Sequence, residues 1–281
     1  MKPLSLVFLY LLFASNALGQ SDKGFEYAYI TAEPQKTGWP LTKEEREYIV
    51  EKAEHERRPG REENKHLPHL WPMIPSAGFF GSDAWLKIHE THVKTVQEHQ
   101  GPLDVLLVGD SITIQWAEAW QKHFPSLKAI NIGIGGDKTQ NVLWRLDHGG
   151  IDGLKPRFVV LMIGNNNMFF TPETGIEPVA KGVETCVKNI RHRLPDATII
   201  VAKILPAHAP GNRFYEDIRR TNEAMDSLAF SADSKLHWID CWKDFTNADG
   251  TLKKNLFHPD SIHLSSEGYA VYAEKLKSYL R

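Results

Sequence analysis

A serine at a strand-to-helix turn is the residue of this chain with the clearest chemical potential. Ser111 ends the stretch Gly109-Asp110-Ser111, which follows the apolar run 105–108 and precedes a helix-like pattern. A serine at the tip of a buried strand exposes its hydroxyl, and the start of a helix favours developing negative charge. These are the properties of a nucleophile whose own backbone N–H serves as an oxyanion donor. Alone, the tripeptide also fits an ordinary bend, with Asp110 bracing the turn.

A serine hydroxyl is a poor nucleophile without a positioned base, and the segment Asp260-Ser-Ile-His263 offers one. Asp260 can fold back onto the Nδ1–H of His263 within one turn of chain, which leaves Nε2 to accept the proton of Ser111. In isolation the same pair would be a loop cap and a surface histidine. In combination with Ser111, it predicts a Ser-His-Asp triad.

Two further islands supply candidate donors for an oxyanion hole. Gly135-Gly136 follows an apolar segment, and the run 165–167 of three asparagines follows the strand-like stretch 158–163. Gly136 lets the backbone approach a ligand closely, and Asn166 can donate from its side-chain amide. Each island would otherwise be a plain turn or an Asx-type loop.

The elements that must position these residues alternate along the second part of the chain. Strands are predicted at 104–108, 128–132, 158–163, 198–204 and 236–240, and helices at 113–123, 138–147, 176–194, 214–230 and 265–280. Apolar strands separated by helices indicate a mainly parallel sheet covered on both faces, an α/β/α sandwich. Because functional groups in such sheets gather at the carboxyl ends of strands, the glycine, serine and asparagine islands are predicted to meet at one edge.

Four blocks follow one another in the chain, at 109–111, 131–139, 164–167 and 260–263. In that order they resemble the blocks of the SGNH hydrolases, also called GDSL esterases. Gly133-Ile-Gly-Gly-Asp137 and Val142-Leu-Trp-Arg-Leu146 are similar to the branch of platelet-activating-factor acetylhydrolase catalytic subunits. The resemblance implies a flavodoxin-like three-layer fold, no cofactor, and Gly136 and Asn166 as oxyanion donors beside Ser111. This sequence departs from that branch at Asn165, where the branch usually has Thr.

Composition and the N-terminal sequence indicate the partners, domain organisation and localisation of the protein. The chain has 281 residues with a net charge of −2, so charge gives no case for nucleic acid or an anionic membrane. Residues 1–19 resemble a secretory signal peptide, with an apolar run too short to span a bilayer. The expected organisation is this signal, an extension with helices at 20–101 that includes a charged helix at 42–58, and a hydrolase domain at 102–281. The mature protein is expected to be secreted or periplasmic, without a stable membrane anchor.

The acyl group must lie beside the catalytic residues, so Ile112, Asn165 and Ile262 are the predicted substrate contacts. Two isoleucines there favour a small acyl group such as acetyl.

The alcohol part of the ester is predicted to be a carbohydrate, because the protein is expected to be exported and because aromatic residues could line a rim around the site. The aromatic candidates are Trp116, Trp120, Trp144, Phe169 and Phe170, of which Trp120 and Trp144 are favoured as core. The alternatives are a phospholipid-directed acetylhydrolase or lysophospholipase, and a non-catalytic carbohydrate-binding protein. A non-catalytic protein would be expected to lack the catalytic Ser, Asn or His, and all three are present in this sequence.

The remaining candidate ligands give no strong pattern. Cys186 falls in a predicted helix and Cys241 after a predicted strand, and two buried thiols are favoured over a disulfide. The pairs His66-x-x-His69 and His89-x-x-His92 have possible ligand spacing but no clear third ligand. No metal and no cofactor is therefore expected.

Overall fold

One five-stranded parallel sheet forms the centre of the protein. The computed structural model describes residues 68–76, 82–228 and 233–281. The strands are β1 (Leu103–Gly109), β2 (Ala129–Asn131), β3 (Pro156–Met162), β4 (Thr198–Ala202) and β5 (Leu236–Ile239). They are arranged β2-β1-β3-β4-β5, and every pair is parallel. The chain reverses its direction of winding between β1 and β3, which opens a crevice at the carboxyl ends of these two strands.

Helices connect the strands and cover both faces. In chain order they are α1 (Ser82–Glu98), α2 (Ser111–Ile114), α3 (Trp116–His123), α4 (Thr139–Asp147), α5 (Asn165–Phe170), α6 (Ile176–Arg193), α7 (Arg213–Asp226), α8 (Trp242–Phe245) and α9 (Ser266–Lys277). Short 3₁₀ turns occur at Pro68–Met73, Pro172–Thr174 and Lys254–Leu256.

The alternation of side chains along the strands creates two separate cores. On β1, Leu106 and Val108 point to the face covered by α4, α6 and α7, whereas Val105 and Leu107 point to the face covered by α3 and α9. All four side chains are at most 1% exposed. Burial on both faces explains why the strands are almost continuously apolar, and it confirms the predicted three-layer α/β/α fold.

The five strands and the main helices lie close to their predicted positions, but the short elements differ. The helix predicted at 113–123 is two helices, because Asp110 caps a separate turn that begins at Ser111. The 3₁₀ turn Pro68–Met73 lies within the predicted extension at 20–101. Helices α5 and α8 were not predicted, since one or two turns carry too few residues for a helical period to emerge.

The two cysteines are free and buried, as predicted. Cys186 on α6 and Cys241 after β5 belong to the cores on opposite faces of the sheet, so they cannot form a disulfide with each other. Burial raises the pKa of both thiols, that of Cys241 to about 12.

The predictions for the N-terminus fall largely outside the described residues. The signal peptide at 1–19, the charged helix at 42–58 and His66 are among them. Within the described ranges, no helix combines the length and the apolar character that crossing a bilayer requires.

Candidate active site

The turn after β1 presents Ser111 as the first residue of α2. The Asp110 carboxylate accepts a hydrogen bond from the Ile112 backbone N–H at 3.0 Å, which caps the helix. A Cβ at Gly109 would overlap the carbonyl oxygen of Met162 on the neighbouring strand, so the turn requires glycine. The N–H groups of a first helical turn have no acceptor within the helix, which leaves that of Ser111 able to donate to a ligand. Asp110 is fully buried, and this burial raises its pKa to about 7.

The structure brings Ser111, His263 and Asp260 into one hydrogen-bonded line. The Nε2 atom of His263 lies 2.9 Å from Ser111 Oγ, and its Nδ1 atom lies 2.7 Å from Asp260 Oδ2. Both contacts are satisfied when Nδ1 carries the proton and donates to Asp260, while Nε2 accepts from the serine hydroxyl. This is the geometry of a nucleophile, a general base and a carboxylate that orients the base.

The loop before α9 folds Asp260 back onto the histidine. Asp260 Oδ1 accepts from the backbone N–H groups of Ile262 and His263, each at 2.9 Å. Partial burial opposes ionisation of Asp260, but the hydrogen bonds from the His263 ring and the two backbone groups outweigh it and hold its pKa below the usual value. An ionised Asp260 stabilises the imidazolium that forms when His263 accepts a proton.

The predicted oxyanion donors lie at the same edge of the sheet. A Cβ added to Gly135 would stand 3.8 Å from the Cβ of Ser111, so the Gly135-Gly136 turn runs directly beside the serine. Gly136 has a φ of +82°, which a residue with a side chain rarely adopts. The Asn166 Nδ2 atom lies 2.9 Å from the Asp137 carbonyl oxygen and 3.4 Å from Asp110 Oδ2. The long second contact leaves one amide hydrogen weakly held and available to a ligand.

The three successive asparagines have separate positions. Asn167 is fully buried and joins α5 to α4: its Oδ1 accepts from the Thr139 backbone N–H at 3.0 Å, and its Nδ2 donates to Gln140 Oε1 at 3.0 Å. Asn166 faces the turns after β1 and β2. Asn165 is 5% exposed and begins the helix. Asn167 is thus a structural residue that the sequence could not separate from its two neighbours.

A buried ion pair between Asp137 and Arg145, which the sequence did not predict, lies next to the Gly135-Gly136 turn. Asp137 Oδ2 accepts from Arg145 Nε at 2.8 Å and lies 2.7 Å from Arg145 Nη2. Arg145 also donates to the carbonyl oxygens of Ile132 at 2.6 Å and Gly109 at 3.3 Å, which joins the ends of β1 and β2. Trp85 on α1 donates from its indole Nε1–H to Asp137 Oδ1 at 2.7 Å. The only signal was that Asp137 and Arg145 stand in the two phrases that resemble known esterases.

Comparison with known proteins agrees with this geometry. The profile of the GDSL-like lipase/acylhydrolase family matches residues 107–271. Platelet-activating factor acetylhydrolase IB subunit alpha1 of Bos taurus is 33% identical over 202 residues, which are 71% of this chain and 84% of the relative. The alpha2 subunit of Homo sapiens is 36% identical over 200 residues, 70% of this chain and 83% of the relative.

This chain belongs to the GDSL-like lipase/acylhydrolase family. It is therefore an ester hydrolase of the SGNH type.

Two solved structures show the same fold. A GDSL-like lipase from Bacteroides thetaiotaomicron is 19% identical with a TM-score of 0.58 and covers 68% of this chain and 96% of its own. An acetylxylan esterase from Geobacillus stearothermophilus is 17% identical with a TM-score of 0.52 and covers 63% of this chain and 94% of its own.

The predicted substrate contacts of this GDSL hydrolase lie in different surroundings. Ile112 is 2% exposed and belongs to the core under α9, whereas Ile262 is partly buried against the core on the other face. In the chain, Asn165 directly precedes the predicted oxyanion donor Asn166, and Ile112 directly follows Ser111. The two isoleucines thus pack against the cores on opposite faces of the sheet.

The aromatic candidates divide into core and surface. Trp120 and Trp144 are 5% and 8% exposed and fill the interior, as predicted, whereas the idea that Trp116 lines a rim is wrong, because its side chain is 1% exposed. Trp116 packs between α3 and α9, where its ring centroid lies 4.9 Å from that of Tyr269. Phe169 and Phe170 are 49% and 42% exposed; with Ile114, they are the exposed large hydrophobic residues of the described part of the chain.

The histidine pair on α1 is unsuited to a cation. His89 and His92 lie near the buried Arg145, and burial followed by the Arg145 charge lowers their pKa values to about 3 and about 4. The Nε2 atom of His89 lies 3.0 Å from the His148 carbonyl oxygen. Within the described ranges, no cluster of three or more His, Cys, Asp or Glu residues could hold a metal ion.

Proposed function

We propose that Ser111, His263 and Asp260 act as the catalytic triad of an exported esterase that removes acetyl groups from carbohydrates. The observation that carries the proposal is the continuous line from Ser111 Oγ through the His263 ring to Asp260, with separations of 2.9 and 2.7 Å. Ser111 Oγ attacks the ester carbonyl carbon while His263 Nε2 takes the hydroxyl proton. The charge that develops on the carbonyl oxygen is met by the backbone N–H groups of Ser111 and Gly136 and by the Asn166 amide.

Collapse of this tetrahedral intermediate breaks the bond to the alcohol oxygen, which takes the proton from His263. The acyl group then stays on Ser111 Oγ as an ester. His263 next accepts a proton from water, whose oxygen attacks the acyl carbon, and the second collapse returns the proton to Ser111 and releases the carboxylic acid. The same residues thus serve both halves of the reaction, and each half consumes and returns one proton.

The acetyl preference is supported by the relatives and by the neighbours of the triad. Acetylhydrolase is the activity named for the curated relatives that are 33% and 36% identical. Ile112 directly follows the nucleophile in sequence, and Ile262 directly precedes the base. The ester carbonyl carbon and its acyl chain must lie beside these two catalytic residues. Forcing an extra methylene into a packed apolar site costs about 1–3 kcal/mol. Acetate esters should therefore be preferred over butyrate and octanoate esters, and Ile262→Ala should reduce that preference.

The carbohydrate part rests on the exposed phenylalanines. Phe169 and Phe170 follow Asn166 by three and four residues on α5, so they lie on the same side of the helix as the proposed oxyanion donor. The Phe169 ring is fixed by packing against Phe214 on α7, with ring centroids 5.4 Å apart. Exposed aromatic residues beside a reaction centre offer a flat apolar face to a substrate ring.

A phospholipid-directed acetylhydrolase is the second candidate, favoured by the name of the relatives. Purified protein should be given acetylated xylo-oligosaccharides, an acetylated glycerophospholipid in mixed micelles and p-nitrophenyl acetate, with acetate release as the measurement. The proposal expects the highest kcat/KM on the oligosaccharide, reduced up to about tenfold by Phe169→Ala, with unchanged turnover of p-nitrophenyl acetate. Preference for the phospholipid, or a chain-length optimum at octanoate, would favour the second candidate instead.

Export is proposed from residues 1–19 alone. Sequencing the N-terminus of the protein recovered outside the cytoplasm should give a chain that begins at Gln20. A mature protein that starts at Met1 would contradict the proposal without affecting the esterase mechanism.

A further inference from the structure

Helix α1 lies outside the part of the chain that matches the family profile, yet it contacts the reaction centre. The profile begins at residue 107, and α1 spans Ser82–Glu98. From this helix, Trp85 reaches Asp137 with a hydrogen bond of 2.7 Å between indole Nε1 and Oδ1. Trp85 is 4% exposed and Asp137 is 1% exposed, so the bond lies in the interior.

Asp137 connects Trp85 to both groups that would complete the oxyanion hole. It directly follows Gly136 in the chain, and its carbonyl oxygen accepts from Asn166 Nδ2 at 2.9 Å. Its Oδ2 is bound by Arg145, so Trp85 is the donor that holds the other carboxylate oxygen. Without the bond to Trp85, Asp137 is less firmly held, and so are the adjacent Gly136 N–H and the carbonyl oxygen that accepts from Asn166.

We infer that Trp85 is a positioning residue for the oxyanion hole, and that α1 is a working part of the hydrolase. The inference rests on the proposed roles of Gly136 and Asn166. The bond fixes the second oxygen of a buried carboxylate, which would otherwise be left without a partner at a cost to the ordered loop. Oxyanion donors act through their alignment with the transition state, so a small shift of the loop lowers kcat more than it changes substrate binding.

The same aromatic cluster contains a matched control. The Trp144 ring packs edge-on against Trp85 with centroids 5.3 Å apart, and it is 8% exposed. Its indole Nε1–H finds no acceptor among the described residues. Trp85→Phe and Trp144→Phe therefore remove the same atoms from the same cluster, but only the first removes a hydrogen bond to Asp137.

The test compares the two variants with wild type on p-nitrophenyl acetate. Trp85→Phe should lower kcat by about 10- to 100-fold with KM unchanged, and Trp144→Phe should stay within about twofold of wild type, although both lower the melting temperature. A trifluoromethyl ketone, which forms a tetrahedral adduct with the serine, should bind Trp85→Phe more weakly by the same factor as the loss in kcat. If Trp85→Phe does not fold, 3-benzothienylalanine at position 85 keeps the ring shape and removes the N–H.

Equal kcat values for the two variants would overturn the inference, as would a fall in kcat without weaker inhibitor binding. Absence of p-nitrophenyl acetate turnover in the wild-type protein would contradict the proposed function instead. The two failures are therefore distinguishable in one experiment.

Discussion

The two sides of the reaction centre are built differently. On the histidine side, Asp260 binds the backbone and ring of a histidine three residues away, and its side chain is 46% exposed. On the oxyanion side, the Asp137 and Arg145 side chains are each 1% exposed, and Asp137 is bound by Trp85, 52 residues earlier in the chain. One side is a local loop at the surface, and the other is a buried network of distant residues.

Because of this difference, substitutions on the two sides should affect catalytic activity and folding stability to different degrees. Groups of the exposed loop exchange hydrogen bonds with water when they are removed, so their loss costs little folding free energy. Groups of the buried network leave unpaired partners in the interior, so their loss costs both alignment and stability. Substitutions on the two sides should therefore give different combinations of activity and unfolding free energy.

The largest expected effect is on activity alone. Ser111→Ala should reduce the kcat for p-nitrophenyl acetate by about 10⁴–10⁶, because removal of a triad nucleophile leaves only binding and the oxyanion hole. The melting temperature should stay near that of wild type, since the lost atom contacts only His263 Nε2 among the hydrogen-bond partners described. Near-normal turnover by the purified variant would exclude the serine mechanism.

On the buried side, Arg145→Met should lower stability as well as activity, and its effect on stability is the one that separates the two sides. Asp137 is left as a buried carboxylate without its cation, and breaking such a pair costs about 3–5 kcal/mol. The control is Arg157→Met, which removes an ion pair with Asp104 at 3.1 Å from a side chain that is 57% exposed. Urea denaturation should show a loss below about 1 kcal/mol for the control. Similar losses for the two variants would contradict the proposed contrast.

Substitutions in the run of three asparagines test which of them is the oxyanion donor. Asn166→Ala should lower kcat by about 10²–10³, the usual loss for one oxyanion donor. Asn165→Thr should keep activity, because it introduces the residue that the similar esterases usually have at this position. Steady-state kinetics on p-nitrophenyl acetate provide the measurement for both variants. If Asn165→Ala proves more damaging than Asn166→Ala, the assignment of the donor is wrong by one residue.

The same contrast explains how much the sequence could predict. Strands such as β1 and β3 are recognisable because burial on both faces makes them continuously apolar. The Asp260–His263 pair is recognisable because its contacts lie within one turn of chain. The bonds from Asp137 to Trp85 and Arg145 join three elements, and no local period or spacing encodes such contacts. Trp116 appeared to be a possible rim residue for the same reason, since only the packing of α9 against α3 buries it.

The smallest expected effect is a pH dependence that arises on the buried side. Burial, then the Arg145 charge, lowers the pKa of His89 to about 3, against an ordinary value of 6.5 in the unfolded chain. The unfolded chain therefore binds more protons between these values, and the contribution of His89 to stability is complete above pH 6.5 and lost as the pH falls towards 3. The slope from one such group is up to about 1.4 kcal/mol per pH unit. His89→Gln, which keeps a donor for the His148 carbonyl, should flatten the unfolding free energy between pH 6.5 and 4.5 even though the lost ring contacts lower its level. Equal slopes for wild type and variant in urea titrations across this range would show that the acid sensitivity originates elsewhere, with the neighbouring His92 as the next group to replace.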